Sequence, residues 1–153
     1  MNTTNENLVS ELNKLVEINN DRIRGYERAI AETEDKELKS LFKDMVTHSQ
    51  KYKLELSNDI KSLGAKPTEG TKKFGKIFLG WMDIQAALTG KDRKEILKSC
   101  ESGEDAALEV YEEVLKSDIL IAGSVRKMIL DQKQEILRDH NRIKMLRDAE
   151  RVL

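Results

Sequence analysis

Apolar residues recur at steps of three or four along most of the chain, the spacing of one face of an α-helix. Leu8, Leu12, Leu15, Asn19, Ile23, Tyr26 and Ile30 form the first such stripe and predict a helix over residues 6–33, with Thr3 or Asn5 as its cap. The polar turn Glu34-Asp35-Lys36 ends it. A second stripe, Leu38, Leu41, Phe42, Met45, Ser49, Tyr52, Leu56, Ile60 and Leu63, predicts a helix over 37–63. Gly64 and then Pro67 supply the stop signal, a residue tolerant of the left-handed turn followed by one that cannot extend a helix. Two long helices joined by so short a turn must lie antiparallel.

Residues 68–71 read as loop. Phe74, Ile77, Phe78, Trp81, Ile84 and Leu88 then predict a short amphipathic helix over 74–88, closed by Thr89-Gly90-Lys91-Asp92. Asp92 is placed to cap a third long helix over 93–116, with the stripe Ile96/Leu97, Cys100, Glu104, Ala107/Leu108, Tyr111 and Val114/Leu115. A looser stretch leads to a fourth helix over 124–150, carrying Val125, Ile129, Gln132, Ile136, His140, Ile143 and Leu146. The expected fold is therefore all-α: one domain over residues 1–153, a four-helix bundle with an extra helix in the long crossover between the second and third helices. Such a crossover is a feature of ferritin-like bundles that simple up-and-down bundles lack.

Composition agrees with long helices. Charged residues make up 36%, apolar residues 39%, and Pro67 is the single proline. A net charge of −1, from 27 basic and 28 acidic side chains, offers no global field to draw in nucleic acid or an anionic membrane. A single cysteine, Cys100, has no intramolecular disulfide partner and fits a reducing compartment. No secretory leader pattern and no run of about 20 apolar residues is visible, so a cytoplasmic protein is expected.

Several strings carry a family resemblance. They are Asp21-Arg22-Ile23-Arg24-Gly25-Tyr26, Leu38-Lys39-Ser40-Leu41-Phe42, Leu63-Gly64-Ala65-Lys66-Pro67, Gly80-Trp81, Leu88-Thr89-Gly90, Cys100-Glu101-Ser102-Gly103-Glu104-Asp105 with Tyr111, Gln132 with His140, and Leu146-Arg147-Asp148. In this order and spacing the chain, from Leu8 to Ala149, resembles a bacterial family of four-helix-bundle proteins of unknown function grouped with the ferritin-like folds. The resemblance implies the antiparallel ferritin-like fold and a cytoplasmic bacterial setting. It implies no activity.

A ferritin-like bundle raises the question of a di-iron centre, which uses one Glu from each of two helices and a Glu-x-x-His from each of the others. Met45 stands three residues before His48, and Leu137 stands three before His140, so neither helix carries that motif. Counting from the turns instead places one polar residue per helix at a common level: Asn19, Ser49, Glu104 and Gln132. The favoured reading is a hydrogen-bonded layer that fixes register, because buried polar groups must find partners. The competing reading is an iron site of degenerate type drawn from Glu27, His48, Glu101, Glu104 and His140.

Other signals have plain readings. The basic and aromatic Lys72-Lys73-Phe74-Gly75-Lys76-Ile77-Phe78, with Trp81 beyond, could rest on an anionic membrane surface or on nucleic acid, but its apolar positions fit a packing face. Cys100 lies on a core stripe and is expected to be buried and inert. Gly25 and Gly103 in mid-helix mark close approach or room beside the polar layer. No phosphate loop and no Ser-His-Asp set is present, and no catalytic residue is expected. The function so read is that of a non-enzymatic structural or interaction protein, with a stress-related role and a homodimer as corollaries. It needs no cofactor and binds no nucleic acid. The alternatives are an iron-binding bundle and membrane-surface association through the basic crossover.

Overall fold

The computed structural model describes residues 3–71, 81, 93–119 and 121–150. It contains four long helices, α1 (Thr3–Glu32), α2 (Lys36–Ser62), α3 (Arg93–Leu115) and α4 (Gly123–Ala149), and no strand among the described residues. Local chemistry sets the ends of α2. Asp35 has extended backbone and accepts a hydrogen bond from the Leu38 N–H at 3.1 Å, satisfying one of the first-turn donors. At the other end Gly64 adopts φ 82°, donating to the Lys61 carbonyl at 3.0 Å while Ala65 donates to that of Ile60 at 3.2 Å. This pair of bonds is the Schellman arrangement, which needs a left-handed residue at the Gly64 position. The extra helix expected over 74–88, with Phe74, Phe78, Lys72, Lys73 and Lys76, lies outside the described residues except for Trp81, which is helical and buried.

Cross-helix partners set the direction of each helix. Between α3 and α4, Glu101 meets Arg147, Asp105 meets His140, and Tyr111 meets Gln132. Between α2 and α4, Asp44 meets Arg142, His48 meets Asp139, and Lys51 meets Glu135. Between α1 and α3, Asn19 meets Tyr111 and Arg22 meets Glu104. In every pair one number falls as the other rises, so these neighbours are antiparallel, and the turn from Thr33 to Asp35 folds α2 back on α1 in the same sense. It follows that α2 and α3 run in the same direction. The chain between them must therefore travel the length of the bundle, about 35 Å for a 23-residue helix at ~1.5 Å per residue. Its first part follows α1, where the Thr68 N–H donates to Asn13 Oδ1 at 2.9 Å and Asn20 Nδ2 donates to the Gly70 carbonyl at 2.9 Å.

The core stripes follow a regular alternation of three and four residues. In α1 the buried positions include Leu15, Asn19, Arg22, Tyr26 and Ala29; in α4 they are Ile129, Gln132, Ile136, Asp139 and Ile143. In places the inward position lies one residue before the one the sequence stripe picks out, as at Ala29 in place of Ile30. Likewise Ile23 and His140 are only partly buried, and their neighbours Arg22 and Asp139 take the inward places. Gly25 and Gly103 face the Trp81 ring from α1 and α3. A Cβ at Gly25 would lie 2.3 Å from that ring, and one at Gly103 would lie 3.2 Å from it. The two glycines thus form a slot for the indole, which also packs edge-on against Tyr26 with ring centroids 4.8 Å apart.

Candidate functional site in the bundle core

Arg22 projects from α1 into the centre and is fully buried. Its Nε and Nη2 donate to Glu104 Oε1 of α3 at 3.2 and 2.9 Å, and Nη2 also reaches Asp139 Oδ2 of α4 at 3.3 Å. The Tyr26 hydroxyl, one turn along α1, donates to the same Glu104 oxygen at 2.5 Å. His48 of α2 completes the chain, with Nδ1 at 2.9 Å from Asp139 Oδ2. The guanidinium carbon lies 5.9 Å from the centre of the Tyr52 ring, within cation–π range. One connected set of side chains therefore joins all four helices.

Burial and charge compete at each member. Burial works against the charge of Arg22, but the attraction of Glu104, Tyr26 and Asp139 outweighs it and holds the guanidinium firmly protonated. Glu104 is pushed above the usual carboxylate range, chiefly by burial, with Arg22 and the Tyr26 hydroxyl opposing the rise. Its Oε2 meets no hydrogen-bond partner among the described residues, so half of the carboxylate gains nothing to offset its lost hydration. The Tyr26 hydroxyl is raised well above its ordinary value by burial and by Glu104. Cys100, a turn before Glu104, is also fully buried, and burial followed by Glu104 pushes its thiol far from the reactive thiolate.

A second polar level lies beside this one. Asn19 Nδ2 donates to the Tyr111 hydroxyl at 3.0 Å, and that hydroxyl donates to Gln132 Oε1 at 2.6 Å. Gln132 Nε2 reaches Glu55 Oε1 at 3.1 Å. At the rim between α3 and α4, Glu101, Asp105 and His140 converge, each offering a ligand atom within 4.8 Å of the others.

The sequence-derived candidates therefore separate. Asn19 and Gln132 are linked through Tyr111. Ser49 instead donates to the Met45 carbonyl of its own helix at 2.8 Å. Glu104 belongs to the ionic set with Arg22. Of the residues considered for iron, Glu27 is exposed, His48 is engaged by Asp139, and Glu101 and His140 meet at the rim without Glu104. Arg22 and Asp139 were absent from the expected site. Both lie on the three-four alternation, three residues after Asn19 and three after Ile136, but apolar Ile23 and the histidine at 140 stand beside them and draw the stripe one position off.

The fold and this centre define a class: an all-α four-helix bundle whose core is organised by buried ionic and polar groups. Among the described residues no helix is long and apolar enough to cross a membrane. Residues 7–117 match the family described as Domain of unknown function (DUF2383), and the chain belongs to that family. The match spans α1 to the end of α3, so Arg22, Tyr26, His48 and Glu104 fall within it while Asp139 lies beyond. No curated protein matches the chain.

Proposed function

We propose that this chain is a non-enzymatic structural or interaction protein built on a ferritin-like bundle, in which a fixed guanidinium stands where related architectures hold metal. One observation carries the reading: Arg22, fully buried, sits between the carboxylates of Glu104 and Asp139. Di-iron bundles gather carboxylates and histidines from four helices around metal cations. Here side chains from four helices gather around a cation supplied by the chain itself. Carboxylates so engaged have reduced capacity for a metal, and neither His48 nor His140 has a glutamate three residues before it.

The topology supports the ferritin-like assignment, since α2 and α3 run the same way and need a full-length crossover. An open groove of about 700 Å³ between α2 and α4, lined by Leu41, Met145 and Leu146 among charged neighbours, gives the interaction reading a place, and self-association into a homodimer is the form we favour.

The test is elemental analysis of untagged protein after brief exposure to ferrous iron, with Glu104→Ala alongside. The expected result is no stoichiometric iron that depends on Glu104. Iron bound at a fixed ratio by the wild type and lost in Glu104→Ala would overturn the proposal and restore the core as a metal centre. Sedimentation equilibrium over a hundredfold range of concentration tests the homodimer, and monomer mass throughout would remove it.

A further inference from the structure

Outside the ionic core, the rim between α3 and α4 carries a group of side chains with a different geometry. Glu101 and Asp105 are four residues apart on α3 and so share one face of that helix. His140 approaches from α4, with Nε2 2.7 Å from Asp105 Oδ1. The Glu101, Asp105 and His140 ligand atoms all fall within 4.8 Å of one another, close enough for small side-chain shifts to bring three donors round a single ion at ~2.0–2.2 Å each.

We propose that Glu101, Asp105 and His140 bind a divalent first-row transition-metal ion at this rim. The donor set is one imidazole nitrogen and two carboxylates, borderline to hard in character, which suits zinc-like ions better than thiolate-seeking ones. Three protein ligands leave further positions for solvent. The His140 side chain is 14% exposed and that of Asp105 is 60% exposed, so the site is held by the bundle on one side and reachable from the other.

The ligands are themselves positioned. His140 Nδ1 lies 3.2 Å from Asn141 Oδ1, leaving Nε2 turned to the Asp105 carboxylate. Such a contact on the far ring nitrogen orients metal-binding histidines in general. Arg147 donates through Nη1 to Glu101 Oε2, fixing that carboxylate while leaving its other oxygen. It also pairs with Asp148 at 3.1 Å, so its charge is shared away from the site. The core set does not take part: Glu104 is committed to Arg22, and His48 to Asp139. The inference goes beyond the proposed function and does not depend on it.

The test is calorimetric titration of untagged, chelator-treated full-length protein with Zn(II), paired with visible absorption spectra on adding Co(II). The variants are His140→Gln, Asp105→Asn and, as a control, His48→Gln. The proposal expects one saturable ion per chain, weakened at least tenfold in His140→Gln and Asp105→Asn and unchanged in His48→Gln. Because Asp105 is largely exposed, its variant keeps the test informative if His140→Gln perturbs folding. Absence of saturable binding, binding as tight in both rim variants as in the wild type, or loss in His48→Gln would each overturn the proposal. None of these readouts involves Glu104, so the rim site and the metal-free core succeed or fail separately.

Discussion

Replacing Arg22 by methionine removes a cation of similar length while leaving Glu104 and Asp139 in place. Three charge-assisted contacts disappear, at 3.2, 2.9 and 3.3 Å, from a position with no solvent exposure. Glu104 would keep only the Tyr26 hydroxyl. Breaking a buried ion pair by deleting one partner destabilises by about 3–5 kcal/mol, because the remaining charge loses its compensation. With a urea m-value on the order of 2 kcal/mol/M, the midpoint of unfolding should fall by roughly 1.5–2.5 M. The pH dependence gives a second reading. Glu104 is already raised above its reference value of 4.5 in the wild type, and losing Arg22 raises it further. The folded variant then holds a proton that the unfolded chain has released. Its stability therefore declines as pH rises from 4.5 towards the elevated folded value, and the gap to wild type is smallest in acid. Adding Glu104→Gln to the Arg22 variant should recover much of the loss. Urea melts at several pH values check all three statements. A loss below about 1 kcal/mol at neutral pH, or a gap independent of pH, would refute the view that the guanidinium neutralises a buried carboxylate.

The chain has a single tryptophan, so Gly25→Ala can be followed by fluorescence. Its new Cβ would sit 2.3 Å from the indole, and it should expose Trp81, red-shift the emission and cost about 1–3 kcal/mol. Gly103→Ala, at 3.2 Å, should perturb emission less, and its gain in helix propensity of up to ~1 kcal/mol should offset part of the strain. Gly64→Ala should cost about 1 kcal/mol in thermal or urea unfolding, because φ 82° is strained for any residue with a Cβ. Asp35→Ala removes the α2 cap and should cost about 1 kcal/mol at neutral pH. Burial opposes the Asp35 charge, but hydrogen bonds from the Leu38 N–H and from Arg93 together hold its carboxyl below the reference value of 3.8. That contribution is present above pH 3.8 and is lost as pH falls through the lower folded value, so wild type and variant should converge in strong acid.

The four long helices were legible because their stripes are long and regular, and the stop at Gly64 follows from the left-handed turn it permits. The slot for Trp81 was half visible, since Gly25 and Gly103 stood out as costly in mid-helix, but which side chain fills the space depends on a distant segment. The ionic centre was hidden for a physical reason. A lone arginine is ordinarily a surface residue, and nothing local to Arg22 announces that carboxylates 82 and 117 residues away will compensate it. Hydrophobicity placed Ile23 on the stripe, whereas the spacing Leu15, Asn19, Arg22, Tyr26 carried the better register.

The shared centre has an evolutionary consequence. Arg22 alone, Glu104 alone or Asp139 alone is a liability, because each is tolerable only in company. A lineage that loses the arginine must shed the acids within a few steps or live with a weakened fold. Drift at these sites should therefore proceed in linked jumps rather than single substitutions, and homologous chains should show either the full set or an apolar replacement of it. Mixed combinations would be rare. An alignment in which arginine and acids vary independently would contradict that linkage.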